Sequence, residues 1–108
     1  MGLFGRKQAQ VPDGVVRRAY RFVGYVQHRG FRYLCSNCAK KAQVTGWVMN
    51  EEDGSVSAEA QGTPAQLDDF LSRLMYVVDG IGDSWSVGSQ RDIEPIAGEN
   101  RFRVISYY

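Results

Sequence analysis

The sequence predicts an α+β sandwich with the element order βαββαβ, and three observations carry that prediction. Apolar spacing switches twice from alternation to three- and four-residue steps. Asp53-Gly54 forms a tight turn between two short runs, the signature of a hairpin. Thr63, Pro64 and Gln66 together spell out the start of a helix. Each helix carries a single apolar stripe and needs one sheet face to cover it. The economical solution is a ferredoxin-like sandwich: an antiparallel sheet of four or five strands with two helices on one face.

The first strand is expected over Val15–Val26, rich in Val, Tyr and Phe and partly alternating. Phe31, Leu34, Cys35, Cys38, Ala39 and Ala42 then form a helical stripe. Val44–Met49 and Ser55–Gln61 are the two arms of the hairpin. In the second helix Thr63 is the cap, Pro64 takes the position where a missing N–H costs nothing, and Gln66 completes a capping box. Its stripe is Leu67, Phe70, Leu71, Leu74 and Val78, and a glycine-punctuated loop at Gly80–Gly82 follows. Further strands are expected at Trp85–Arg91 and, alternating, at Arg101–Tyr107.

A chain of 108 residues suits one domain, here 15–108, preceded by a disordered leader over 1–14. A formal charge of +1 argues against broad affinity for nucleic acid or anionic membrane, so any anion site has to be local. No apolar run approaches the roughly 20 residues of a membrane span. The first residues lack the apolar core of a secretory signal, and Arg6 stands where a myristoylation motif wants Ser or Thr. A cytoplasmic location is the expectation. Nothing in the chain demands an oligomer, and a monomer is expected.

The segment Gly24–Arg32 carries most of the functional signal. A strand runs into a glycine-containing turn, and an arginine follows just inside the next helix. Such a junction leaves backbone N–H groups unpaired at a helix start, where the helix dipole also favours negative charge. Arg32 adds a planar, permanently charged fork suited to two phosphate oxygens. The reading is a phosphate-handling site.

These residues resemble the acylphosphatase family. Its first signature is a Val-x-Gly-x-Val-Gln strand end, a glycine loop and Phe-Arg. The chain reads Phe22-Val23-Gly24-Tyr25-Val26-Gln27-His28-Arg29-Gly30-Phe31-Arg32 over this stretch. The second signature is matched by Gly46-Trp47-Val48-Met49-Asn50, then Gly54-Ser55-Val56, then Gly62. The likeness spans roughly Arg18 to the C-terminus and is weakest between Val78 and Gly98. It implies hydrolysis of the carboxyl–phosphate bond of small acyl phosphates to a carboxylate and inorganic phosphate, without metal or cofactor. It also implies that Arg32 binds phosphate, that Asn50 positions the attacking water, and that the backbone of Gln27, His28, Arg29, Gly30, Phe31 and Arg32 forms the cradle. Arg29 departs from the family pattern, which commonly has valine there; His28 is an accepted variant.

Other readings of the same residues carry less. A non-catalytic acylphosphatase-like phosphate-binding module, altered by Arg29, is the alternative function. Cys35-Ser36-Asn37-Cys38 has redox or zinc spacing, but no second Cys or His pair exists, and both cysteines fall on the apolar stripe. Buried reduced thiols are expected. His28 is the only histidine and suits a structural or rim role. Arg29–Tyr33 faintly echoes an RNA-binding motif, yet that motif lies on a strand and this run opens a helix.

Overall fold

The computed structural model describes residues 11–27, 30–79 and 85–106, without the side chains of Val78 and Asp79. Most of the expected leader, His28, Arg29, the Gly80–Gly82 loop and Tyr107 lie outside the described residues. The elements are β1 (Val16–Gly24), α1 (Phe31–Ala42), β2 (Thr45–Asn50), β3 (Val56–Gly62), α2 (Pro64–Asp79), β4 (Trp85–Ile93) and β5 (Phe102–Ile105). They form one sheet in the order β4-β1-β3-β2-β5. The expected α+β sandwich is therefore present, with one refinement: β5 runs parallel to β2, so the sheet is mixed rather than wholly antiparallel. The chain reaches β5 from the opposite edge of the sheet. No hairpin turn joins β5 to its neighbour, and nothing forces the pair to be antiparallel.

β1, β2 and β5 point the same way, and β3 and β4 point back. The C-terminal ends of β1, β2 and β5 therefore share one end of the sheet. Alternation places Tyr20, Phe22, Val48, Val56, Ala58, Ala60 and Phe102 in one buried cluster with Phe31, Cys35 and Ala39 of α1 and Leu67, Phe70 and Leu74 of α2. Gly46 is held close to β3: with φ at 143°, a Cβ there would meet the Glu59 carbonyl oxygen at 1.8 Å. Helix α1 stops at Gln43, whose left-handed conformation lets Val44 N–H reach Ala39 O at 3.0 Å and Gln43 N–H reach Lys40 O at 3.2 Å.

The segment joining β4 to β5 has to cross the sheet, and a buried polar cluster fastens it. Arg17, fully buried, donates to Glu99 Oε1 at 2.8 Å and to Glu59 Oε1 at 2.8 Å. Gln61 exchanges two bonds of 2.8 Å with the backbone of Ile96. Burial alone would lower the Arg17 pKa, but the hydrogen bonds and charges of Glu99 and Glu59 outweigh it and hold it above its ordinary value. A buried charge needs such pairing, and it lies at the end of the sheet away from Asn50.

Candidate active site

The β1–α1 junction, the end of β2 and the end of β5 meet at one end of the sheet. β1 stops at Gly24, earlier than the alternation to Val26 suggests, because Val26 N–H turns back to Gly24 O at 2.9 Å. Val26 is nevertheless fully buried, which seats the turn on the core. Gln27 then spans the gap to the hairpin: its Nε2 donates to Glu51 O at 2.6 Å and to Ser55 O at 2.8 Å. Its side chain thus braces the loop against the hairpin that carries Asn50.

Helix α1 begins unusually. Its N-cap, Gly30, has φ 72° and ψ 27° in the left-handed region, provides no side-chain cap, and no acidic residue occupies the first turn. Tyr33 N–H and Leu34 N–H both reach Gly30 O, at 2.9 and 3.0 Å. Phe31 and Arg32 precede them, where a helix has no carbonyl of its own to offer. Phe31 is fixed sideways: its buried ring packs edge-on against Phe22 and Trp85, each with centroids 5.5 Å away. That aromatic cluster holds the helix start and so fixes where Arg32 leaves the backbone.

Arg32 reaches across to β5. Its Nη1 donates to Ile105 O at 3.0 Å and to Ser106 Oγ at 2.9 Å. In the parallel pair β2–β5, Ile105 lies opposite Met49, the residue before Asn50. Arg32 is therefore tied to the strand end that neighbours Asn50. Asn50 is on the helix-covered face of the sheet, opposite Val56, and its Oδ1 is buried without a hydrogen-bond partner among the described residues. Such an acceptor costs about 1–3 kcal/mol unless something pairs with it.

Of the residues singled out from the sequence, the structure brings Gln27, Gly30, Phe31, Arg32 and Asn50 to this one end. His28 and Arg29 belong to the same loop but lie outside the described residues. Cys35 and Cys38 are buried free thiols, as expected. Burial, then the neighbouring Cys38, pushes the Cys35 pKa well up; burial also raises Cys38 against the pull of Lys41 and Arg73. Among the described residues no group of three or more His, Cys, Asp or Glu could hold a metal ion. Sequence reasoning missed Ser106 and the bracing role of the Gln27 side chain. Neither has a local signal, since their partners lie 74 and 24–28 positions away.

The fold and this convergence define a ferredoxin-like α+β domain with an open helix start facing the strand ends. The family model for acylphosphatase matches residues 18–79. An acylphosphatase of Geobacillus thermodenitrificans is 39% identical over 82 residues, covering 76% of this chain and 85% of that one. One from Moorella thermoacetica is 33% identical over 94 residues, covering 85% and 96%. The crystal structure of acylphosphatase from Bacillus subtilis superposes with a TM-score of 0.69 at 26% identity, covering 84% of this chain and 99% of that one. The chain belongs to the acylphosphatase family, whose function is hydrolysis of acyl phosphates.

Proposed function

We propose that Arg32 and the amides of the loop and first turn of α1 bind the phosphoryl group of a small acyl phosphate, and that Asn50 orients the water that attacks it. The observation that carries this reading is the helix start itself: an N-cap without a side-chain cap, beside an arginine tied to the strand next to Asn50. An acyl phosphate already has a good leaving group, so the enzyme has to supply position and charge stabilisation. Fixed N–H dipoles and the guanidinium provide both. The water oxygen forms a bond to phosphorus while the bond from phosphorus to the acyl oxygen breaks, and the carboxylate leaves with the electron pair. The water proton passes to a phosphoryl oxygen. The Asn50 amide can accept from the water and donate without adding charge, where a carboxylate would repel the phosphate. The buried, unpartnered Oδ1 of Asn50 suits an acceptor for that water.

The proposal takes the enzyme as a cytoplasmic monomer. Its test is hydrolysis of benzoyl phosphate by the full chain with a chelator present. The wild type turns the substrate over; Asn50→Ala loses about a hundredfold or more in kcat while inorganic phosphate still competes, the scale of losing one key transition-state group. A wild-type kcat in Asn50→Ala removes Asn50 from the mechanism. Phosphate binding without any turnover by the wild type favours the non-catalytic module.

A further inference from the structure

We infer that Ser106, at the end of β5, is a positioning residue for Arg32: its hydroxyl and the Ile105 carbonyl hold one corner of the guanidinium and leave the rest of the fork to the phosphate. This rests on the assignment of Arg32 as the phosphate ligand and adds to it how that ligand is held. An arginine has five N–H donors. The two hydrogens of Nη1 go to Ile105 O and Ser106 Oγ, so the remaining three belong to Nε and Nη2, the side of the fork that meets two oxygens together.

The chemistry of the anchor separates Arg32 from the other paired arginines. Arg17 bonds Glu59 and Glu99, Arg18 bonds Asp92, Arg21 bonds Asp53, and Arg73 bonds Asp69. Each of those charges is answered by a carboxylate. The described bonds of Arg32 go to a carbonyl and a hydroxyl, both neutral. Such an anchor restricts the side chain, and among the described residues no carboxylate offsets its charge toward an anion. The anchor is itself fixed. β5 pairs with β2 through Met49 and Ile105, and the segment before it is fastened by the Arg17–Glu99 and Gln61–Ile96 bonds.

Ser106→Ala, Ser106→Thr, Ser106→Asp and Arg32→Ala test this, with KM and kcat for benzoyl phosphate, the KI of inorganic phosphate and Tm as readouts. Ser106→Ala should raise KI about tenfold, the scale of one hydrogen bond to a charged group, with Tm unchanged because the side chain is exposed. Ser106→Thr keeps the hydroxyl and should stay within about twofold of wild type. Ser106→Asp supplies the carboxylate the other arginines have and should raise KI more than Ala does, to about a hundredfold. Wild-type KI in both Ala and Asp overturns the inference, as does a fall in Tm with KI unchanged. If Arg32→Ala loses phosphate binding while the Ser106 variants keep it, only the positioning role falls. If Arg32→Ala itself keeps the wild-type KI, the assignment of Arg32 falls and this inference with it.

Discussion

The two helices of this domain start at opposite ends of the same sheet, and their starts are finished in opposite ways. α2 closes its own end: Thr63 N–H donates to Gln66 Oε1 at 2.9 Å, Gln66 N–H returns to Thr63 Oγ1 at 3.2 Å, and Leu67 N–H takes Thr63 O at 2.9 Å. α1 begins on a left-handed glycine with no side-chain cap. Both helices face the same problem of orphan N–H groups. One answers it with side chains and gains stability. The other leaves its first donors without a side-chain cap, as the proposed anion site requires.

Stripping the open end should have the largest effect. Arg32→Ala is expected to cut kcat/KM for benzoyl phosphate by at least about a hundredfold, as loss of a key oxyanion donor does. Arg32→Lys should recover little of it, because a point charge cannot reproduce the fork. Retention of near wild-type kcat/KM in Arg32→Ala would show that the open helix start is not the phosphate site.

Closing the open end should come next. Gly30→Asp places a carboxylate at the N-terminus of α1. A Cβ at Gly30 meets nothing within 4 Å, and Asp is among the residues that tolerate left-handed backbone. A carboxylate about 6 Å from the phosphate, at an effective dielectric near 40, repels each phosphate charge by about 1.4 kcal/mol, or about tenfold. Activity should therefore fall about tenfold or more, while the left-handed backbone costs about 1–2 kcal/mol of stability in Asp and Ser alike. Gly30→Ser, without the charge, serves as the control. Equal losses in Ser and Asp would point to backbone strain rather than to charge.

The reciprocal change opens the closed end. Thr63→Ala breaks the capping box of α2 and should cost about 1 kcal/mol, a fall in Tm of about 4–8 °C for a domain of this size. Activity at 25 °C should be unchanged, measured as kcat/KM on the folded enzyme. A drop in kcat/KM without a drop in Tm would mean that the two helix ends are not independent.

The closed end was fully legible in the sequence and the open end only partly, for a physical reason. Thr63 and Gln66 bond to each other across three positions with Pro64 opening the helix between them, so local spacing states the structure. The two helices and the hairpin were legible likewise, because apolar periodicity is local. The Gly24–Arg32 segment announced its chemistry through residue types and a family resemblance. What holds it did not show: Ser106 meets Arg32 across 74 positions, and Gln27 reaches the hairpin across 24 and 28. Nothing local marks Arg17 as buried, since its burial follows from the β4–β5 segment crossing over it. The parallel β2–β5 pair was hidden for the same reason, since it depends on which edge the last strand reaches.

The smallest effect tests whether the turn beside Asn50 carries its own acid-sensitive lock. Asp53 Oδ1 accepts from Ser55 Oγ at 2.6 Å and from Ser55 N–H at 2.9 Å, and Arg21 bonds Oδ2. The Ser55 hydroxyl, then its backbone N–H, then Arg21 lower the Asp53 pKa to about 2. The folded value lies below the unfolded one, near 3.9. The stability this carboxylate contributes is therefore present in full above about pH 4 and is lost as pH falls toward 2. Its exposure to solvent keeps the contribution small. Asp53→Asn should lower Tm slightly at pH 6, and the gap from wild type should close as both are taken toward pH 2.5. Thr63→Ala, whose cap does not titrate, should keep its gap from wild type over the same range. A constant gap for Asp53→Asn would mean that the carboxylate is ionised on the same terms in the folded and unfolded chains, and that the turn owes its geometry to Gly54 and the strand pairing alone.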